Sequence, residues 1–442
     1  MDRIVQKIHE LSVEVSEKGI EGGDREELKK RVADSIIVSY GARNSVPVRI
    51  AVEALGHHRS GMEAPIYFSG SMVSVEAAAF INGGMTRYLD FNDTYLSKEA
   101  LHPSDNIPPL IAVGYAMSLG GEELLRASYV SYQVVGALSD AVSIRDRGWD
   151  HVTYISVSSA AGIANLMGLT EERFENALSL GINNNISMRQ TRAGELSMWK
   201  GFTAANACRN SVFAALLAQK GFTGPSHIFT GEMGFFKQVS GEFDLDLSVD
   251  RVPRTMIKNY PVEYHAMSAA EAADELRKEI RGDIESVSVD TFRVAHTIII
   301  KDPEKLRPRT KETADHSMPY IIAYTLLHGA PGLDAYDDRY LRDQAILDLI
   351  DRMKFNVTEK YNSMYPEYLP VRIEVRTDRG TWSKEVDAPK GHFRRPYTWD
   401  DLQEKGRRVM GEDRAREVIG VCRDLERRSI RELMEVVKSV GP

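Results

Sequence analysis

Between Tyr88 and Leu110 the chain reads YLDFNDTYLSKEALHPSDNIPPL, which crowds carboxylate, amide, hydroxyl and imidazole groups into one short stretch. Asp93 and Thr94 precede His102, and His102 precedes Pro103, which holds the histidine backbone extended. Ser104, Asp105 or Asn106 can cap the next helix, where Pro108 and Pro109 are tolerated only in the first turn. A histidine at the positive end of a helix dipole is expected to stay neutral and to accept a proton. Asp93 and His102 therefore form a candidate acid–base pair. A local role fits the same spacing, with Asp93 as a cap and His102 bonded inside its loop.

Three further clusters bring cations and imidazoles. In SMRQTRAGELSMWKGFTAANACRN, Arg189, Arg192 and Lys200 surround Gly194 and Gly201, with Lys200 at the expected start of a helix. Because a lysine opposes the dipole there, carboxylate binding is one reason for its position, by point charge from Lys and by bidentate forks from Arg. A solvated loop is the alternative. In KNYPVEYHAMSAAEAADEL, Lys258 and His265 bracket a Tyr-Pro turn where two architectures meet, and such junctions favour ligand sites; His265 also fits as an ordinary residue at a helix start. In RTKETADHSMPYIIAY, capping accounts for Asp315 or Ser317 but leaves Arg309, Lys311 and His316 unexplained. No GxGxxG follows a strand, and P-loop, HExxH and GxSxG patterns are missing. The His57-His58 pair reads as surface.

The elements that must position these groups divide into two kinds. Helical spacing of apolar residues runs through 24–42, 74–92, 122–144, 157–167, 171–186 and 199–220. After a helix at 265–280 come strand-like segments ESVSVDTF, HTIII, KFNVTEK, LPVRIEVRT and TWSKEVD, the last two flanking an Asp378-Arg379-Gly380 turn. A helix at 316–327 interrupts them, and helices return from Trp399. The expected fold is mainly α: a large multihelical domain, 1–257 plus 398–442, with an inserted smaller α+β lid domain, 258–397.

Composition sets limits on function. The 442 residues are 43% hydrophobic and 27% charged, as in globular proteins. A net charge of −8 without a basic run argues against nucleic acid as partner. Two cysteines, Cys208 and Cys422, are too few for an iron–sulfur cluster or a disulfide framework. The N-terminus MDRIVQKIHELSVEV is charged and amphipathic, unlike a signal peptide, and no apolar run approaches a membrane span; a cytoplasmic location is expected.

LDFNDTYL followed by HPSDN, GWDHVTYISVSSAAGIANLMGL, the SMWKG region, FTGEMGFF, KNYPVEYHA, TKETADHSMPYIIAY and GHFRRPYTWDDL together resemble the MmgE/PrpD family along essentially the whole chain. That family includes 2-methylcitrate dehydratases and cis-aconitate decarboxylases. The resemblance implies a helical body with an α+β lid, a homodimer, and catalysis without metal or organic cofactor. It implies catalytic roles for Asp93, His102, Lys200, Lys258 and His265, and substrate contacts from Thr94, His151 and Tyr320; the charge of a tricarboxylate further calls for Arg189 or Arg192 beside the two lysines. The expected reaction is loss of water from 2-methylcitrate, a small tricarboxylate. Decarboxylation of cis-aconitate and epimerisation of an amino-dicarboxylate are the alternatives within the family; an inactive helical scaffold dimer is the alternative outside it. Pro108-Pro109 and Met267 depart from the bacterial dehydratase pattern.

Overall fold

Helices dominate the computed structural model, which describes residues 1–441. Gly22–Ala42 is buried almost continuously from Leu28 to Tyr40, so it runs through the interior as a central helix. Around it lie Arg3–Lys18, Val46–Leu55, Val75–Tyr88, Ile107–Ala116, Gly121–Ala141, Val152–Leu166, Glu171–Asn183 and Thr203–Gln219. Small residues at the crossings permit close approach: a Cβ on Gly83 would lie 2.9 Å from the Ala205 Cβ. The C-terminal helices Trp399–Met410, Glu412–Arg423 and Ile430–Ser439 pack back on this body.

Buried apolar residues form two main clusters. One draws on residues from Ile4 to Ile257 and again from Tyr397 to Val440. The other draws on Met256 to Val386, with Leu96 reaching in from the body. The second cluster is built on a four-stranded sheet ordered Met353–Val357, Ile284–Thr291, Val371–Thr377, Gly380–Val386. The first pair is parallel and the others antiparallel. Val371, Ile373 and Val375 alternate inward, and the helices Met267–Glu279 and Met318–His328 supply the other side of that core. The architecture is thus mainly α with a smaller α+β part.

Three local expectations differ from the structure. His296–Ile300 is not a strand: Arg293–Ile299 is helical, burying Ala295 and Ile299 at i, i+4 spacing. Short apolar runs satisfy either period, and packing decided. The helix expected from Val157 begins at Val152, because VTYISV is buried on every side and tertiary packing overrides its β-branched composition. Lys200 lies in a 3-10 turn, Met198–Gly201, ahead of the helix that starts at Thr203.

The two parts are joined at the loop that follows Val75–Tyr88. Thr94 and Met256 exchange backbone hydrogen bonds of 2.9 and 2.8 Å. Gly391 lies so close to the Ile257 carbonyl that a Cβ would stand 1.8 Å from its oxygen, and its φ of +90° also favours glycine. From the C-terminal helices, Lys405 Nζ donates to the Phe91 carbonyl at 3.0 Å and ion-pairs with Asp34 at 2.6 Å, both side chains fully buried. Lys405→Met is expected to lower the unfolding free energy by about 3–5 kcal/mol by stranding the Asp34 carboxylate, and adding Asp34→Leu to recover most of it. Urea unfolding of both chains measures the difference.

Candidate active site

Asp90 is the centre of charge. It lies just past the Val75–Tyr88 helix with φ +52°, a left-handed conformation that Asp tolerates better than most residues. Its carboxylate pairs with the Arg87 guanidinium, stands 3.1 Å from Lys258 Nζ and lies 3.6 Å from Lys200 Nζ. Burial alone would raise the Asp90 carboxyl, but Arg87, Lys200 and Lys258 outweigh it and hold it well below its usual value. Lys258 also donates to the Asp90 carbonyl at 2.7 Å and to the Val262 carbonyl at 3.1 Å, so its three protons are engaged within the protein. Lys200 is fully buried, with Asp315 at 3.8 Å on its other side. Burial pushes it down to about 7, against the pull of Asp315 and Asp90.

Four histidines stand around this hub, each with Nδ1 tied. His102 Nδ1 is 2.7 Å from the Asp93 carbonyl, which can only accept, so Nδ1 carries the proton and Nε2 is left as the acceptor. That Nε2 is 3.8 Å from Asp90 Oδ1. Burial, with Arg87 and Lys258 nearby, holds His102 well below the usual imidazole value. His151 Nδ1 faces Asp150 at 3.3 Å, while Arg192 binds the other Asp150 oxygen at 2.9 Å. Burial brings His151 to about 3 despite Asp150. His316 Nδ1 bonds Asp315, and its Nε2 lies 4.0 Å from Asp90. Burial and then Lys200 bring it to about 4, against Asp315. His265 Nδ1 meets Glu263 at 2.7 Å and its Nε2 meets the Tyr365 hydroxyl at 3.2 Å.

These groups enclose a cavity of about 100 Å³. Its wall carries six cations, Arg87, Arg145, Arg189, Arg192, Lys258 and Lys305, against three carboxylates, Asp90, Glu99 and Glu263. Glu99 is already occupied by the Ser143 hydroxyl and the Ile144 and Arg145 amides. Such a wall suits a small polyanion. Among the described residues no three His, Cys, Asp or Glu side chains converge as a metal-ligand set.

The residues singled out from sequence fall in two places. Thr94, His102, His151, Arg189, Arg192, Lys258 and His265 line the cavity. Lys200 lies behind the wall, reaching it only through Asp90 and Asp315. Asp93 does not face the cavity: its carboxylate accepts the Ser104 amide at 2.9 Å and the Tyr132 hydroxyl at 2.8 Å, and only its backbone carbonyl serves His102. Asp93 thus acts as the local cap, and Ser104, Asp105 and Asn106 make no side-chain cap of their own. Tyr320 also lies elsewhere, buried in the second core with its hydroxyl on the Ala335 carbonyl. Sequence reasoning missed Arg87, Asp90, Glu99, Arg145, Glu263 and Lys305. The ETADHS run did signal His316, since capping left it unexplained.

The family model described as the MmgE/PrpD N-terminal domain matches residues 3–248, and that of the MmgE/PrpD C-terminal domain matches residues 260–427. The chain belongs to the MmgE/PrpD family. Its curated MmgE/PrpD relatives include a 2-methylcitrate dehydratase of Escherichia coli (strain K12), 31% identical over 72% of this chain and 71% of the relative. A mitochondrial 2-methylcitrate dehydratase of Yarrowia lipolytica is 29% identical over 77% of this chain and 70% of its own length. An alkylcitrate dehydratase of a fungal species is 28% identical over 77% of this chain and 74% of its own length.

The depressed histidines tie stability to pH. His151 binds fewer protons folded than unfolded between its usual 6.5 and about 3, so stability falls as pH drops through that window and is unaffected by this group above it. His151→Asn is expected to reduce the slope of unfolding free energy against pH between about 6 and 4 by about 1.4 kcal/mol per pH unit. Denaturant titrations across that range test it.

Proposed function

We propose that this member of the MmgE/PrpD family is a hydro-lyase that removes water from 2-methylcitrate to give 2-methyl-cis-aconitate. The observation that carries the reading is the cationic excess around the cavity beside His102, whose tautomer leaves Nε2 free to accept a proton. Relatives named 2-methylcitrate dehydratase support the choice of acid. On this reading Arg145, Arg189, Arg192 and Lys305 meet the substrate carboxylates. His102 Nε2 takes the proton from the carbon beside a carboxylate, the released electron pair forms the double bond, and the C–O bond breaks. His265, anchored through Nδ1 on the Glu263 carboxylate, exchanges the Tyr365 hydroxyl at Nε2 for the substrate and hands a proton to the departing hydroxyl, which leaves as water. Charge developing on the substrate carboxylate during proton loss is stabilised by the arginines, an effect on the order of several kcal/mol in a site shielded from water.

The same reading assigns residues 258–397 as a lid on a helical body formed by 1–257 and 398–442. It also carries a homodimer and a cytoplasmic location. Incubation with 2-methylcitrate, citrate and cis-aconitate, followed by absorbance of the conjugated alkene, tests the reaction. Water loss from 2-methylcitrate is the expected result; carbon dioxide release from cis-aconitate without it would replace the reading by a decarboxylase. His102→Gln is expected to lower kcat/KM by ~10²–10⁴-fold. Because His102 is held below its usual 6.5, the acidic limb of kcat/KM should lie below that pH. A limb centred at or above 6.5 would remove His102 as the base.

A further inference from the structure

Leu196 is a buried leucine without a core. It is 5% exposed, yet it joins neither large hydrophobic cluster nor the small group of Val152, Ala204 and Ala207. Among the described residues it is the one buried apolar side chain larger than alanine that stands outside these groups. Instead it lines the charged cavity. It sits on the segment between Arg192 and Lys200, following Gly194, whose φ of +67° turns the chain after the two arginines. From the α+β part, Ile298 on the Arg293–Ile299 helix, which packs partly against the second core, adds a second branched aliphatic side chain to the lining of the same cavity.

A carboxylate gains nothing from an isobutyl group, and neither does a departing hydroxyl. In a cavity whose other lining is mostly polar and charged, aliphatic surface is useful only to aliphatic surface on the ligand. We propose that Leu196 and Ile298 form an alkyl subsite that selects a 2-alkyl-substituted tricarboxylate over its unsubstituted parent and limits the length of the alkyl group. The inference rests on the dehydratase reading above and adds to it the specificity-determining residues. The 2-alkyl group lies against Leu196 and Ile298 while the carboxylates meet the arginines.

The test is kcat/KM of the full-length protein on citrate, 2-methylcitrate and 2-butylcitrate, for the wild type, Leu196→Ala, Leu196→Met and Ile298→Val. A methyl group in an apolar pocket is worth roughly 10- to 200-fold, so wild type should prefer 2-methylcitrate over citrate by that order. Leu196→Ala should cut this preference by about tenfold and raise the 2-butylcitrate to 2-methylcitrate ratio. Leu196→Met changes shape with little change of volume and Ile298→Val removes a single methylene, so they supply the readout if the alanine variant fails to fold; each should shift the same ratios, by less. If wild type dehydrates none of these acids, the functional reading falls and the subsite with it. If it dehydrates them but its preference is unchanged, within about threefold, in every folded variant, the subsite alone is overturned.

Discussion

One buried carboxylate allows the rest of the site to exist. Arg87, Lys200 and Lys258 come from three separate segments and would repel one another strongly in a water-poor interior. Asp90 stands among all three, and Asp315 takes a second share of Lys200. Removing one partner from such a cluster leaves an uncompensated buried charge, which costs far more than a surface pair ever contributes. The cluster also fixes a division of labour. Lys258 spends its protons on Asp90 and two backbone carbonyls, so it supplies field at the cavity and no hydrogen bond to a ligand. The cations farther round the wall, Arg145, Arg189, Arg192 and Lys305, stand outside the Asp90 cluster.

The histidines follow from the same field. All four are anchored through Nδ1, which sets ring orientation before any ligand arrives and lessens the ordering needed at reaction. Their anchors differ. His102 hangs from a neutral carbonyl and faces Arg87 and Lys258, surroundings that favour an uncharged, accepting ring. His265 is instead anchored on the Glu263 carboxylate. Two like rings lining one cavity therefore stand in unlike electrostatic surroundings.

Periodic elements were legible because burial imposes a period. Gly22–Ala42 and the alternating Val371–Thr377 strand could be read directly, and so could the turn at Asp378-Arg379-Gly380. His296–Ile300 could not, since three apolar residues in a row carry no period. The site shows the same limit. His102, Lys258 and His265 were found because proline, a turn and a change of architecture marked them. Asp90 and Asp93 are three residues apart in a loop without a repeat, and which of them points at the cavity depends on the left-handed twist at Asp90. Only the coordinates carry that sign. Glu263 and Lys305 look like surface charges in the sequence, and distant packing alone makes them part of a wall.

The loop holds its twist because of how the helix before it ends. The last turn of Val75–Tyr88 and the residues just after it leave carbonyls that no helical amide can satisfy, at the negative end of the dipole. Lys311 donates to the Tyr88 carbonyl at 2.7 Å, Lys258 to that of Asp90 at 2.7 Å and Lys405 to that of Phe91 at 3.0 Å. These lysines come from a short helix of the α+β part, from the junction and from the C-terminal return, so one helix end gathers three remote segments. Each ammonium satisfies an orphan acceptor and complements the dipole, while Asp315 and Asp34 balance the charges of Lys311 and Lys405. A conventional glycine cap would satisfy the carbonyls but contribute no charge and recruit no distant segment. The lysine cap therefore ties the end of a body helix to the α+β part and to the C-terminal return, and the loop that carries Asp90 is held from three directions at once.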